Sequence, residues 1–397
     1  MSDLDVPLVL FAVPGHMSWL LWLGNNVHAT AWPRKLIKFI SFFIDSTIAV
    51  GAVAAVSWAA ARMLGVSPWN SPLPIALHYY AIACAINTIV GFLPWFLRRI
   101  RRRDPAVLVS DVTVLHDLRP VLTAPTTHDR RGKLFAAIPG NEILQLAVQT
   151  KTLALPRLPA PLAGLKIAHL TDIHLTGIID RRYYERAFDI VNDAEPDIVL
   201  LTGDLLEAEE CWDWIPTTFG KLRSKHGVYF VFGNHDIRVD HEETRRRLID
   251  AGLVDVGIRR AHVTINGVDI VLAGSAMPWL KPATPMDDCP ASHDGQFRIL
   301  LSHSPDQFPW AKRHDFDLMV AGHVHGGQIQ IPPLGPILAP SSFGTRYACG
   351  TFHEGPTVLH VGRGLSSKLP LRFFCKPEAT LLVLERAALS RTEPFSQ

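Results

Sequence analysis

Five short stretches of the sequence end in side chains able to hold a metal ion. "LKIAHLTDIHL" carries Asp172 and His174, and "DIVLLTGDL" carries Gly203 and Asp204. "VYFVFGNHD" carries Asn234, His235 and Asp236, "FRILLSHSP" carries His303, and "FDLMVAGHVHGGQ" carries His323 and His325. Asp, Asn and His without cysteine suit hard or borderline divalent ions such as Mn, Fe or Zn. The last stretch sets its two imidazoles at i and i+2, which an extended backbone would send to opposite faces. Convergence needs a sharp turn, and Gly322, Gly326 and Gly327 permit one. Any single ending also reads as a capped turn or a satisfied core histidine. Five endings of one kind argue for a common site.

The elements that must position these residues are legible around them. Each ending follows an apolar run of strand length, as buried strands of an α/β sheet do, and ligand sites in such sheets gather beyond the carboxyl ends of the strands. Between the first two runs, "RRYYERAFDIVNDAEP" has the apolar spacing of a helix and closes at Pro196. Strand and helix therefore alternate over residues 143–397, with no internal repeat or low-complexity tract.

The order D-x-H, G-D, G-N-H-D, H, G-H-x-H resembles the calcineurin-like metallophosphoesterase superfamily, and within it the membrane-attached bacterial YkuE-like and YaeI-like group. The resemblance runs from about Glu142 to about Leu384. It implies a two-sheet β-sandwich flanked by helices, an α/β fold with a dinuclear metal site at the strand ends. It implies that Asp172, His174 and His325 bind one metal, that Asn234, His303 and His323 bind the other, and that Asp204 bridges them. Two such ions can clamp a phosphoryl group and lower the pKa of a shared water. By the same resemblance His235 contacts phosphate and protonates the leaving oxygen, with Asp236 orienting it. Arg346 in "SSFGTRY" and Arg363 in "HVGRGLSS" are candidate guanidinium contacts to phosphate. Two departures concern the substrate rather than the metal set: Gly362 stands where close relatives often carry Ser, and Cys375 and Lys376 occupy a loop that is more Pro-rich in relatives.

The first hundred residues are of another kind. The whole chain of 397 residues is 48% hydrophobic and 19% charged with a net charge of +2, and its apolar excess lies in residues 1–97. Residues 39–61 contain one acidic group, Asp45, and residues 75–97 contain no Asp, Glu, Lys or Arg. Each is long enough to cross a bilayer, which takes about 20 residues. A transmembrane hairpin is expected, followed by a linker at 104–142 within which "VLVSDVTVL" has strand character. Arg34, Lys35 and Lys38 precede the hairpin and the run Arg98–Arg103 follows it, which places both ends, and the catalytic domain with them, on the cytoplasmic side of the inner membrane. The stretch from Val6 to Leu23 is interrupted by Pro14 and Gly15 and admits a third span, a re-entrant piece or an interfacial helix. The five cysteines form no CxxC pair, which fits a reducing compartment and argues against thiolate zinc.

A membrane tether suits a phosphorylated, lipid-linked substrate, because attachment raises the effective concentration of membrane substrates. The leading candidate, by resemblance, is the pyrophosphate of UDP-2,3-diacylglucosamine, a lipid A precursor. The alternative is a broad phosphomonoesterase or phosphodiesterase acting on phospholipid headgroups or phosphoproteins. No basic stripe supports a nucleic-acid partner. A non-catalytic scaffold is disfavoured because no ligand position has degenerated. The sequence leaves the oligomeric state open.

Overall fold

A computed structural model describes residues 5–65, 75–122, 130–281, 284 and 296–387. The chain forms two compact units: residues 1–103 with 331–345, and residues 104–330 with 346–397.

The first unit is helical. Helix α1 spans Asp5–His28 and α2 spans Arg34–Met63. Helix α3, Ile75–Asn87, continues through a π-turn at Thr88–Phe92 into α4, Leu93–Ile100. Among the described residues, three helical stretches are long and apolar enough to cross a membrane: Asp5–His28, Arg34–Met63 and Ile75–Ile100. The segment from Val6 to Leu23, whose topology the sequence left open, thus lies inside one continuous helix. Small residues let the helices approach closely, as is usual where lipid leaves no hydrophobic drive between them. A Cβ on Gly15 would fall 1.8 Å from the Cys84 carbonyl oxygen, and one on Gly51 would fall 2.5 Å from His16 Nε2. Polar side chains tie the same helices, with His16 Nδ1 2.6 Å from the Tyr80 hydroxyl and Asn87 Nδ2 donating to the Gly15 carbonyl at 2.8 Å. The segment 331–345 joins this unit through hydrogen bonds of Asn25, Trp95 and Arg99 to Ala339, Thr345 and Leu334.

The second unit is a pair of mixed sheets. Its strands are β1 (Leu108–Asp117), β2 (Gln145–Leu155), β3 (Lys166–Leu170), β4 (Ile198–Thr202), β5 (Val228–Val231), β6 (Val254–Asp255), β7 (Ala261–Ile265), β8 (Val268–Ser275), β9 (Phe297–Ser302) and β10 (Leu318–Ala321). After β10 the chain forms two short strands, β11 (Gln330–Ile331) at the start of the 331–345 segment and β12 (Gly335–Pro336) within it, and then returns to this unit with β13 (Gly350–Glu354), β14 (Thr357–Val361) and β15 (Glu378–Arg386). One sheet has the order β1-β2-β15-β3-β4-β5-β6, the other β13-β14-β10-β9-β8-β7. The helices are α5 (Arg130–Ala136), α6 (Arg181–Asp193), α7 (His241–Asp250) and α8 (Phe308–Arg313). The segment expected as a linker, 104–142, belongs to this unit and supplies the edge strand β1, paired antiparallel to β2 from Leu108 to Asp117.

Strand periodicity explains why the runs carry no polar alternation. Along β3 and β4, Ile167, Ile198 and Leu200 enter a core shared with Ile270, Leu272, Ile299, Leu301, Leu318 and Val320 of the second sheet. Their neighbours Ala168, Leu170, Val199 and Leu201 enter another core, with Tyr184, Phe188 and Val191 of α6. Successive side chains alternate faces, and both faces are covered, so the runs are apolar apart from Lys166 at the start of β3 and the buried pair His169 and Thr202, whose polar atoms meet at 2.8 Å. Strands β3 to β6 are parallel neighbours, as are β8, β9, β10 and β14, which brings their carboxyl ends to one side of each sheet.

Candidate metal centre

Each ending identified in the sequence follows directly from one of these strands: Asp172 and His174 from β3, Asp204 from β4, Asn234 from β5, His303 from β9, and His323 and His325 from β10. The chain must turn sharply there, and the backbone shows it. Asp172, His174, Asp204, His323 and His325 all have φ between 47° and 71°, a region that non-glycine residues rarely occupy. Gly322 has a different reason to be glycine. A Cβ there would lie 1.8 Å from Thr171 Oγ1 and 2.5 Å from Asp172 Oδ2, so only a bare backbone passes. The turn is completed by Gly326 at φ 62°.

The side chains meet in two groups that share one carboxylate. Asp172, His174, Asp204 and His325 present ligand atoms within 4.8 Å of one another, and so do Asp204, His303 and His323. In the first group His174 Nε2 lies 3.1 Å from His325 Nε2 and 3.6 Å from Asp204 Oδ2, while His325 Nε2 lies 3.4 Å from Asp172 Oδ1. In the second, His303 Nε2 lies 2.9 Å from Asn234 Oδ1, 3.1 Å from His323 Nδ1 and 3.4 Å from Asp204 Oδ1. The histidines expected to serve different metals, His323 and His325, thus fall into different groups.

The chemistry of this donor set fits divalent cations. His174 sets Nδ1 2.6 Å from Glu207 Oε1, and His303 sets Nδ1 2.8 Å from the Thr202 carbonyl oxygen. With those outer nitrogens donating, both Nε2 atoms turn their lone pairs to the centre. Such lone pairs and the carboxylates of Asp172 and Asp204 are buried together, an arrangement that a cation stabilises. The field has the same sign. Burial disfavours charge on His174, yet Glu207, Asp204 and Asp172 outweigh it and hold the imidazole above its ordinary pKa. Burial, together with Asp172 and Asp236, holds the Asp204 carboxyl well above the usual carboxylate range against the opposing pull of His174.

Around this centre the remaining expected residues have the following partners. Asp236 does not touch the His235 ring: its buried carboxylate accepts from the backbone N–H groups of Leu205, Leu206 and Gly233, tying the turn after β4 to the turn after β5. The carboxylate beside His235 is Glu207, whose Oε1 lies 2.6 Å from His235 Nδ1. Arg346 is taken up by Glu354 at 2.8 Å and lies over Tyr347. Arg363 packs its Cγ against Gly326, but its guanidinium is paired with Glu378. Cys375 is not remote from the site, because its Sγ donates to the His325 carbonyl at 3.3 Å, and Lys376 pairs with Glu142.

Four residues escaped the sequence reading. Glu207 follows Asp204 by three positions and contacts both His174 and His235. Arg238, three after His235, joins Glu207 at 2.6 Å and places Nη2 2.7 Å from His235 Nε2. Trp279 lays its ring 4.6 Å from that of His323 and 5.5 Å from that of His303. Arg372, fully buried, donates to the carbonyls of His325 and Arg363 and sets Nη2 3.2 Å from His325 Nδ1. The "GDLLE" and "HDIR" spacings were visible signals for the first two. Nothing local marks Trp279 or Arg372.

Two ligand groups joined through one aspartate, at the strand ends of a two-sheet α/β sandwich, are consistent with a dinuclear metal site. Residues 165–327 match the calcineurin-like phosphoesterase family. The chain is 31% identical over 237 residues to the metallophosphoesterase YkuE of Bacillus subtilis (strain 168), covering 57% of this chain and 82% of YkuE. It is 30% identical over 227 residues to the phosphodiesterase YaeI of Escherichia coli (strain K12), covering 56% and 83% respectively. It is also 27% identical over 345 residues to a transmembrane protein with a metallophosphoesterase domain from Bos taurus, covering 78% of this chain and 72% of that one. The chain therefore belongs to the calcineurin-like phosphoesterase family, as a metal-dependent phosphoester hydrolase, and it is a membrane protein.

Proposed function

We propose that this chain is a membrane-attached phosphoesterase with a two-metal centre that hydrolyses a lipid-linked phosphoester or pyrophosphate. The observation that carries the reading is Asp204, whose two carboxylate oxygens reach separate clusters, Oδ2 toward His174 and Oδ1 toward His303. Asp172, His174 and His325 would hold one divalent ion, Asn234, His303 and His323 the other, and Asp204 both. Bound there, two such ions supply Lewis-acid polarisation of a phosphoryl oxygen and a water acidic enough to react near neutral pH.

The chain's own residues set the conditions for that chemistry. Glu207 and the Thr202 carbonyl fix the imidazoles of His174 and His303. His235 stands at the more open edge, its side chain 16% exposed while that of His174 is fully buried. Burial is the main influence that pushes its pKa down, to about 3, against the opposing pull of Glu207. His235 is thus neutral at neutral pH, with its single N–H on Nδ1 directed at Glu207 and its Nε2 accepting from Arg238 Nη2. A ring with no second proton to give suits a pyrophosphate, whose leaving group is a phosphate and needs little protonation. The apolar helices in the same chain support a lipid-borne substrate, and UDP-2,3-diacylglucosamine is the specific candidate. The basic residues Arg34, Lys35 and Lys38 and the run Arg98–Arg103 support a multi-pass arrangement in the inner membrane with the hydrolase on the cytoplasmic side.

The test is a parallel assay of full-length protein in detergent, loaded with Mn, on UDP-2,3-diacylglucosamine and on bis-p-nitrophenyl phosphate, with Asp204→Ala as control. Metal-dependent cleavage of the lipid, abolished in the control, is the expected result. Cleavage of the artificial diester alone would remove the lipid substrate from the reading and leave a broader phosphoesterase.

A further inference from the structure

Two segments beside the His325 turn are stitched together in the second unit. Gln328 Nε2 donates to the Leu371 carbonyl at 2.9 Å, Gln330 N donates to the Phe373 carbonyl at 2.9 Å, and Phe373 N donates to the Gln328 carbonyl at 3.3 Å. The inward side of this pair belongs to the site already described, through Arg372 and Cys375. The outward side is apolar: Ile329 is 46% exposed, Leu369 45% and Phe374 64%. Exposed aliphatic residues are ordinary when scattered, but these three are gathered on one hydrogen-bonded ridge, with exposed Lys368 at its edge. Phe374 is the least ordinary of them. Its φ is 53°, a conformation that is an outlier for a bulky residue, and it holds the ring in solvent while Cys375 and Arg372 turn inward. Strain of this kind persists where the surroundings enforce it, and it clusters at functional sites.

Chain continuity supplies the occupant. The ridge segment ends at Gln330, and the next residue, Ile331, begins the stretch 331–345 that packs within the membrane-helix unit. Ile329 is two residues from that stretch, a span of at most about 7 Å along the backbone. Within 331–345, the backbone carbonyl of Leu334 accepts from Arg99 and the backbone N–H of Ala339 donates to Asn25. An apolar, aromatic-tipped ridge with a lysine beside it, continuous in the chain with a segment of the membrane-helix unit, has the chemistry of an interfacial anchor.

We propose that Ile329, Leu369 and Phe374 form a lipid-docking ridge that enters the acyl boundary of the bilayer beside the metal centre, so that a lipid phosphoester reaches the histidines without leaving the membrane. The substrate part of this proposal rests on the lipid-linked reading given above; the docking part does not.

The experiment places the full chain in nanodiscs containing a phospholipid with a diazirine on its acyl chain. After photolysis, adducts are mapped by mass spectrometry. Adducts on Ile329 and on the Leu369–Phe374 peptide, in addition to the helices, are expected; adducts confined to the helices overturn the ridge. In the same nanodiscs Phe374→Ser and Leu369→Ser are assayed on an embedded lipid phosphoester and on soluble bis-p-nitrophenyl phosphate. Losing one buried large apolar contact should lower the lipid rate by about tenfold and leave the soluble rate unchanged. Equal losses on both substrates would identify a structural role and overturn the proposal. Ridge adducts without lipid cleavage by the wild type would sustain docking and sink the lipid substrate. Lipid cleavage with neither adducts nor a selective loss would do the reverse.

Discussion

Replacing Gly322 by alanine adds a single carbon at the most crowded point of the centre. Ordinary contact begins near 3.4 Å, and the new Cβ would lie 1.8 Å from Thr171 Oγ1, a deficit of about 1.6 Å. Rotating the Thr171 side chain does not relieve it, because the new carbon is also 2.8 Å from Thr171 Cβ. The hydroxyl is moreover engaged with Asp172 Oδ2 at 2.9 Å and the Thr202 carbonyl at 3.2 Å. The backbone must therefore give way, and the displacement passes to Asp172, whose carboxylate also accepts from the His323 N–H at 3.0 Å. Overpacking of this kind costs about 1–3 kcal/mol, less than the stability of an ordinary domain, so the variant should fold. A misplacement of about 1 Å at reacting groups costs on the order of 10²-fold in rate. Full-length Gly322→Ala, loaded with Mn and assayed on bis-p-nitrophenyl phosphate, should lose activity by about that factor. Gly355→Ala is the control: its φ is 63° and nothing lies within 4 Å, so it should lose about 1 kcal/mol of stability without loss of rate. Activity of Gly322→Ala within threefold of wild type, in a folded protein, would refute the steric account of this turn.

Glu207→Gln keeps the shape but removes the charge that fixes His174 and His235, so metal affinity measured by titration should fall about 10- to 100-fold. An affinity equal to wild type would return the orienting role to another group. The buried pair of Glu378 and Arg363 should show in the pH dependence of unfolding. Burial raises the Glu378 carboxyl, but Arg363 and Lys151 outweigh it and hold its pKa below the ordinary 4.5. A depressed folded-state pKa contributes stability that is present above about 4.5 and lost as the pH falls further. Thermal unfolding midpoints between pH 6 and pH 3 should therefore drop more steeply for wild type than for Glu378→Gln; parallel curves would rule the pair out as a source of acid sensitivity.

The chemical identity of the site was legible in the sequence because it is local. Seven candidate ligands each sit within a few residues of an apolar strand, and a strand followed by a turn delivers them to its carboxyl end whatever the rest of the chain does. The long apolar stretches were legible for a similar reason, since length and composition alone fix a helix able to span a bilayer. Only the tertiary structure decided which groups surround the ligands. Glu207 rather than Asp236 faces His235 because the turns after β4 and β5 lie side by side, and Asp236 is consumed in joining them. Arg363 is engaged by Glu378 because the last strand, β15, lies between β2 and β3, a sheet order that no local periodicity encodes. The segment 331–345 follows the metal-site turn in sequence yet packs within the helical unit, and the bent backbone at Phe374 turns an aromatic ring outward. Spacing within an element fixes which side chains share a face. Contacts between separate elements depend on strand order and on how two sheets close over one core, and these are properties of the folded chain as a whole.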